Sequence, residues 1–112
     1  MYNIIPSSSF SKELKNLAKK YPHIKQDYAG LLDSLEQVDF QGDRLQDYPG
    51  VVYKVRIGSI DQQKGKRGGF RLVYIVITQD KTVYLMAIYA KAYQEDLTEI
   101  QKQGIKDFLQ RI

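Results

Sequence analysis

Apolar residues recur along this 112-residue chain with two different periods, and the point where the period changes separates a helical first half from a strand-rich second half. Tyr2 to Ile5 is a short β-favouring run closed by Pro6, which predicts a first strand. Ser7, Ser8 and Ser9 then offer hydroxyls suited to a helix N-cap. Phe10, Leu14, Leu17, Ala18 and Tyr21 follow in steps of three and four, one stripe of a helix that Pro22 ends, with Lys19 and Lys20 at the negative end of its dipole. A second helix carries Ile24, Tyr28, Leu31, Leu32, Leu35 and Val38 at the same spacing, so the two form a helical hairpin. Gln41 to Gly50 is polar, punctuated by Gly42, Pro49 and Gly50, and reads as a loop.

Beyond it the period becomes two. Val51, Tyr53, Val55 and Ile57 point one way while Val52, Lys54 and Arg56 point the other, which predicts a strand with one basic face. Gly58 to Gly69 is a long polar connection. Phe70 to Thr78 is almost continuously apolar, as expected of a central strand covered on both faces, with Arg71 the exception. After a short turn at Gln79, Asp80 and Lys81, Val83 to Ala90 forms a third apolar strand, completing an antiparallel meander. Thr98 and Gln101 fit a capping box, and Ile105, Phe108, Leu109 and Ile112 supply the stripe of a closing helix in which Gly104 weakens the first turns. The order strand, helix, helix, three strands, helix defines an α+β domain: an N-terminal strand and helical hairpin packed on an antiparallel meander, with a C-terminal helix, all within a single domain spanning 1–112.

Composition narrows the chemistry. There is no cysteine and one histidine, His23, which excludes disulfides, thiolate metal sites and catalysis by a histidine pair. A Ser-His-Asp hydrolase is open only through His23, whose place beside Pro22 reads first as an exposed helix start. No run approaches the span of a bilayer and the first residues lack a secretory pattern, so a cytoplasmic protein without membrane contact is expected. Charge is unevenly spread. Five lysines and one acid occupy Met1 to Lys25, and six acids and one arginine occupy Gln26 to Pro49. Between Gly50 and Arg71 stand Lys54, Arg56, Lys64, Lys66, Arg67 and Arg71 against Asp61 alone. Asp27, Asp33, Glu36 and Asp39 read as a solvated helix face.

The meander can gather Lys54, Arg56, Lys66, Arg67, Arg71 and Lys91 on one rim, an anion-seeking surface or, on the plainer reading, solvated strand ends. Interleaved Tyr53, Phe70, Tyr74, Tyr89 and Tyr93 offer stacking platforms for unpaired bases, although Tyr53 and Tyr74 sit inside apolar runs and also fit ordinary strand packing. Cleavage of RNA by a ribose 2′-OH needs a base, cations on the phosphorane and a proton for the leaving 5′-oxygen. Lys54 or Lys91, crowded by like charges, can act as base or acid; Arg56 and Arg71 can hold the phosphate; Tyr93 can stack or assist proton transfer. Lys64 to Gly69, KGKRGG, lacks the spacing of a P-loop and precedes a strand, so its glycines are read as turn residues.

The run GKRGGFRLVYIVI (Gly65 to Ile77), with VYLMAIYAKAYQEDLT (Val83 to Thr98) and VYKVRIG (Val52 to Gly58), resembles the HigB-type branch of the RelE/ParE toxin superfamily of type II toxin–antitoxin pairs. The resemblance implies a RelE-like fold and a metal-independent endoribonuclease that cuts mRNA on translating ribosomes. It also implies a cognate antitoxin and no cofactor. By position, Arg71 matches the family's phosphate-holding arginine, Lys91 falls near the basic residue ending the last strand, and Lys54 and Arg56 fall near the earlier basic strand. Tyr93 stands approximately where some relatives have a catalytic tyrosine. The expected catalytic set is therefore Lys54, Arg56, Arg71, Lys91 and Tyr93, with RNA contacts from Lys64, Lys66, Arg67 and Phe70, no metal ligands, and Arg71 on an open rim. Two further functions share the fold: a ParE-like toxin that binds DNA gyrase, and a non-catalytic RNA-binding relative.

Overall fold

The computed structural model describes residues 1–63 and 68–112. Strand β1 (Asn3–Pro6) leads into helices α1 (Ser8–Lys20) and α2 (Ile24–Glu36), followed by strands β2 (Asp43–Leu45), β3 (Val51–Ile57), β4 (Phe70–Ile77) and β5 (Thr82–Ala90) and helix α3 (Glu99–Arg111). The strands form one sheet in the order β1-β5-β4-β3-β2. Strands β3, β4 and β5 make the expected antiparallel meander, and β1 adds to its edge parallel to β5, giving a mixed sheet.

Local chemistry explains the helix ends. The Ser7 hydroxyl accepts the Phe10 N–H at 3.1 Å, and Thr98 with Gln101 forms the reciprocal capping box. Helix α2 has no side-chain cap of its own; Asp61, from the β3–β4 connection, accepts the His23 backbone N–H at 2.8 Å instead. Val38, expected on the α2 stripe, lies past the helix with a positive φ and is half exposed, because the helix stops at Glu36. Ile112 likewise projects from the end of α3 and is exposed.

The segment expected to be a loop at Gln41 to Gly50 contains β2, which pairs Asp43, Arg44 and Leu45 with Lys54, Tyr53 and Val52. A strand of three largely polar residues has no alternation to read, and backbone pairing alone defines it. Gly42 makes the close approach possible: its φ is +102°, and an added Cβ would lie 2.5 Å from the Lys54 carbonyl oxygen.

Each face of the sheet has its own core. Helices α1 and α2 cover one face, where Phe10, Ile24 and Leu35 meet Val55, Ile57, Phe70, Leu72 and Tyr74. Helix α3 covers the other, where Ile105 and Leu97 meet Val52, Val73, Ile75 and Ala87. β4, central and buried through most of its length, is covered on both faces as its composition predicts. Register shifts once: Val73 pairs with Ala87 but Tyr74 with Leu85, so Met86 forms a bulge in β5. That extra residue reverses the alternation. Val83 and Leu85 face α1 and α2, while beyond the bulge Ile88 and Ala90 take that face and Ala87 and Tyr89 turn toward the α3 side.

Candidate active site

The bulge and the strand alternation together build a charged end on the α3 face of the sheet. Arg56, Arg71 and Tyr89 stand directly opposite one another across β3, β4 and β5, and Lys54, Val73 and Ala87 form the next row. Neighbours in such a row lie about 5 Å apart and share a face. Lys91 continues the Tyr89 parity, and its backbone N–H donates to the Gly69 carbonyl at 3.0 Å, which holds the exit of β5 against the start of β4. Gly69 is constrained by the opposite neighbour, since an added Cβ would fall 2.1 Å from the Ile57 carbonyl oxygen. Helix α3 is seated toward the other end of the sheet, where Leu109 lies against Gly50 and Phe108 packs on Tyr84, so the row of Arg56, Arg71 and Tyr89 lies beyond it.

Both lysines are paired. Lys54 Nζ lies 3.3 Å from Asp96 Oδ1, and Lys91 Nζ donates to Glu95 Oε1 at 2.8 Å and to the Glu95 carbonyl at 3.0 Å. The crowding by like charges expected at these lysines is thus met by carboxylates of the turn after β5, residues the sequence reading did not single out. The Lys91 ammonium holds the Glu95 carboxyl below the usual carboxylate range, and Asp96 is held down first by the Leu97 N–H and then by Lys54. The turn itself is pinned by Gln101, whose Oε1 accepts from the Gln94 side chain at 2.8 Å and from the Thr98 N–H at 2.9 Å. Gln101 also donates to Glu13 Oε2 at 2.8 Å, and Glu13 Oε1 accepts the Ile88 N–H on the part of the β5 edge that β1 does not reach. Burial raises the Glu13 carboxyl above its usual range, with these two hydrogen bonds opposing the shift.

Arg71 does not lie on an open rim. It is 6% exposed, and its Nη1 donates to the Phe70 carbonyl at 3.2 Å. Beside it Tyr89 is buried, its hydroxyl has no hydrogen-bond partner among the described residues, and burial pushes that hydroxyl up to about 12. The sequence offers Tyr89 as a stacking aromatic, but only the bulge at Met86 puts it in this row; unbroken alternation from Val83 would send it to the helical hairpin. Arg56, by contrast, is exposed.

The remaining expected residues separate. Phe70 is fully buried, packed edge-on to Tyr21 at 5.2 Å between ring centres, which corrects its expected contact with RNA: even positions of β4 face the hairpin. Tyr53 and Tyr74 stack on each other at 5.3 Å in the same core, and Tyr74 donates to the Gln41 carbonyl. Tyr93 is exposed and engages Lys20 of α1, which lies 3.9 Å from the ring centre, contacts the hydroxyl and lowers its pKa. It stands on the hairpin side of the rim. Lys64, Lys66 and Arg67 lie outside the described residues. His23 Nδ1 is 2.7 Å from Asp61 Oδ1, a contact belonging to the start of α2.

No protein-family model matches the chain. Solved structures do match its fold. A free-state variant of the E. coli toxin RelE superposes with a TM-score of 0.61 at 21% identity, covering 95% of this chain and 96% of that one. A metal-bound toxin from Helicobacter pylori gives a TM-score of 0.61 at 20% identity over 83% of this chain and 98% of that one. The intact E. coli RelBE toxin–antitoxin complex contains a chain that matches at a TM-score of 0.54 and 22% identity, over 80% and 96%. The α+β architecture is therefore the RelE-like fold. Among the described residues, no helix is long and apolar enough to cross a membrane.

Proposed function

We propose that this chain is the toxin of a type II toxin–antitoxin pair and cleaves mRNA on the ribosome. The observation that carries the reading is the placement of Arg56 directly opposite Arg71, flanked by Lys54, on one face of the sheet, with Arg56 exposed and Arg71 buried beside it. Like charges opposite one another in a sheet cost stability, and a bound phosphate offsets that cost through charge-assisted hydrogen bonds. The match to solved toxins, one of them in complex with its antitoxin, supports the same class and a protein antitoxin as partner. Within this reading we assign the chain to the HigB-type branch, which the quoted C-terminal motifs resemble.

In this reading, the ribose 2′-oxygen attacks the adjacent phosphorus, its proton passes to a base, and the bond from phosphorus to the 5′-oxygen breaks. The leaving oxygen takes up a proton, giving a 2′,3′-cyclic phosphate and a 5′-hydroxyl end. Arg56 and Arg71 compensate the charge of the phosphorane, Lys54 and Lys91 serve proton transfer, and Tyr93 stacks on a base. The chemistry is drawn without a metal.

The test is induction in a bacterial host lacking the antitoxin, with 5′ ends of mRNA mapped for the wild type and for Arg56→Ala. Codon-phased 5′-hydroxyl ends that fall about 100-fold in the variant are expected. Growth arrest without new ends would move the function to a bound target such as gyrase. Absence of arrest would leave an inactive relative.

A further inference from the structure

The turn between β5 and α3 places two carboxylates on the two lysines of the site, and three other features accompany them there. Lys54 and Lys91 are each only 29% exposed at the side chain, while their partners Asp96 and Glu95 are 58% and 89% exposed, so the carboxylates lie on the solvent side of the ammonium groups. Arg71 beneath is almost fully buried, and Tyr89 beside it keeps a buried hydroxyl without a partner among the described residues. Gln94 and Gln101 fix the backbone of the turn through their side-chain amides. The Glu95 carboxylate is exposed and bonded to Lys91, whereas Asp96 Oδ1 also accepts the Leu97 N–H at 2.8 Å, so its exchange for another anion gives up that bond as well as the one to Lys54, on a turn whose backbone is held. We infer that Glu95 and Asp96 are internal stand-ins for two phosphates: they occupy the anion positions on Lys91 and Lys54, and a phosphate ligand enters by displacing their side chains and reaching Arg71 and the Tyr89 hydroxyl.

The ligand class follows from the cations and from the reading above, on which the inference rests: a phosphodiester strand, presenting successive phosphates to Lys54 and Lys91. The device has a physical logic. Two arginines and two lysines brought to one sheet end repel one another in the free protein, and the carboxylates relieve that repulsion until RNA replaces them. Ion pairs this exposed are weak enough to be exchanged.

The experiment compares the wild type with Glu95→Gln/Asp96→Asn, whose amides keep the acceptor oxygens, including the one bonded to the Leu97 N–H, and lose only the charge. Asp33→Asn/Glu36→Gln on α2 is the control for the same change in net charge. Each protein is titrated with inorganic pyrophosphate by NMR and with a dye-labelled single-stranded RNA 12-mer by anisotropy, at 0.15 M salt, after thermal unfolding has shown it folded. The double variant is expected to bind pyrophosphate about tenfold more tightly than the wild type, with the control within about twofold. Equal affinities in the double variant and the control, or binding of pyrophosphate by none of the three, would overturn the inference. Tenfold tighter pyrophosphate with no RNA binding would leave the internal anion standing and remove the nucleic-acid reading. RNA binding indifferent to Glu95 and Asp96 would keep that reading and remove the internal anion.

Discussion

The two faces of the sheet are built from alternate residues of the same strands, yet one is closed and the other is half open. On the hairpin face, two helices cover apolar residues to the ends of β3 and β4, where Ile57 and Phe70 are as buried as Leu72 and Tyr74. On the opposite face a single helix covers Val52, Val73 and Ile75 and stops, and the strand ends beyond it carry Lys54, Arg56, Arg71 and, past β5, Lys91. Neighbours in sequence thus have opposite fates: Phe70 belongs to the core and Arg71 to the charged row. Which strand ends the helices are seated on, together with the residue types there, separates core from charged row.

The sharpest way to break this contrast is to truncate one residue on each side of it. Phe70→Ala empties a fully buried position against Tyr21 and is expected to cost about 3–5 kcal/mol in denaturant unfolding. Arg56→Ala, opposite in face and exposed, is expected to stay within about 0.5 kcal/mol of the wild type, because it removes one of two like charges from a row and leaves no cavity. Similar losses from both would mean that the charged end is structural.

A smaller effect tests the edge between the two regions. Thr98→Ala removes the capping hydroxyl that accepts the Gln101 N–H, at an expected cost of about 1 kcal/mol. The turn bearing Glu95 and Asp96 should loosen with it, read as faster amide exchange at Leu97 and Thr98. Unchanged exchange there would show that Gln101 holds the turn without the box.

The smallest effect lies on the hairpin side. Asp61 raises the His23 imidazole above its ordinary 6.5, first through their side-chain hydrogen bond, and is itself held below 3.8 by the same bond. The histidine's share of stability is therefore complete below 6.5 and lost as pH rises through its raised value. The aspartate's share is present above 3.8 and lost as pH falls through its lowered value. As the chain has one histidine, an NMR titration reads His23 directly, and Asp61→Asn is expected to bring it down toward 6.5. An unmoved midpoint would mean that Asp61 acts only as the cap of α2.

Much of this molecule was legible from residue order. Steps of three and four located α1 and α2, alternation assigned Lys54 and Arg56 to one face of β3, continuous apolarity identified β4 as central, and Thr98 with Gln101 marked the start of α3. These are local signals, in which side-chain period and backbone geometry report the same thing. Alternation likewise put Lys54 and Arg56 on one face, and the pairing of β3 with β4 sets Arg71 opposite Arg56, buried where an open rim was expected. β2 was missed because backbone pairing alone defines it, and the two carboxylates on the lysines were missed because neither ion pair can be inferred from a pattern of period two or 3.6.

Three matters belonged to the tertiary structure alone. The single extra residue at Met86 reversed the parity of β5 and so delivered Tyr89 to the charged row, an outcome that depends on pairing with β4. The seating of α3 against Gly50 and Tyr84 decided which strand ends it left uncovered. The fold of the 94–97 turn then laid Glu95 and Asp96 over Lys91 and Lys54, because Gln101, committed by its capping box, pins the backbone that carries them. Charge type is written residue by residue, but which charges meet depends on register and coverage, and both are properties of the packed sheet.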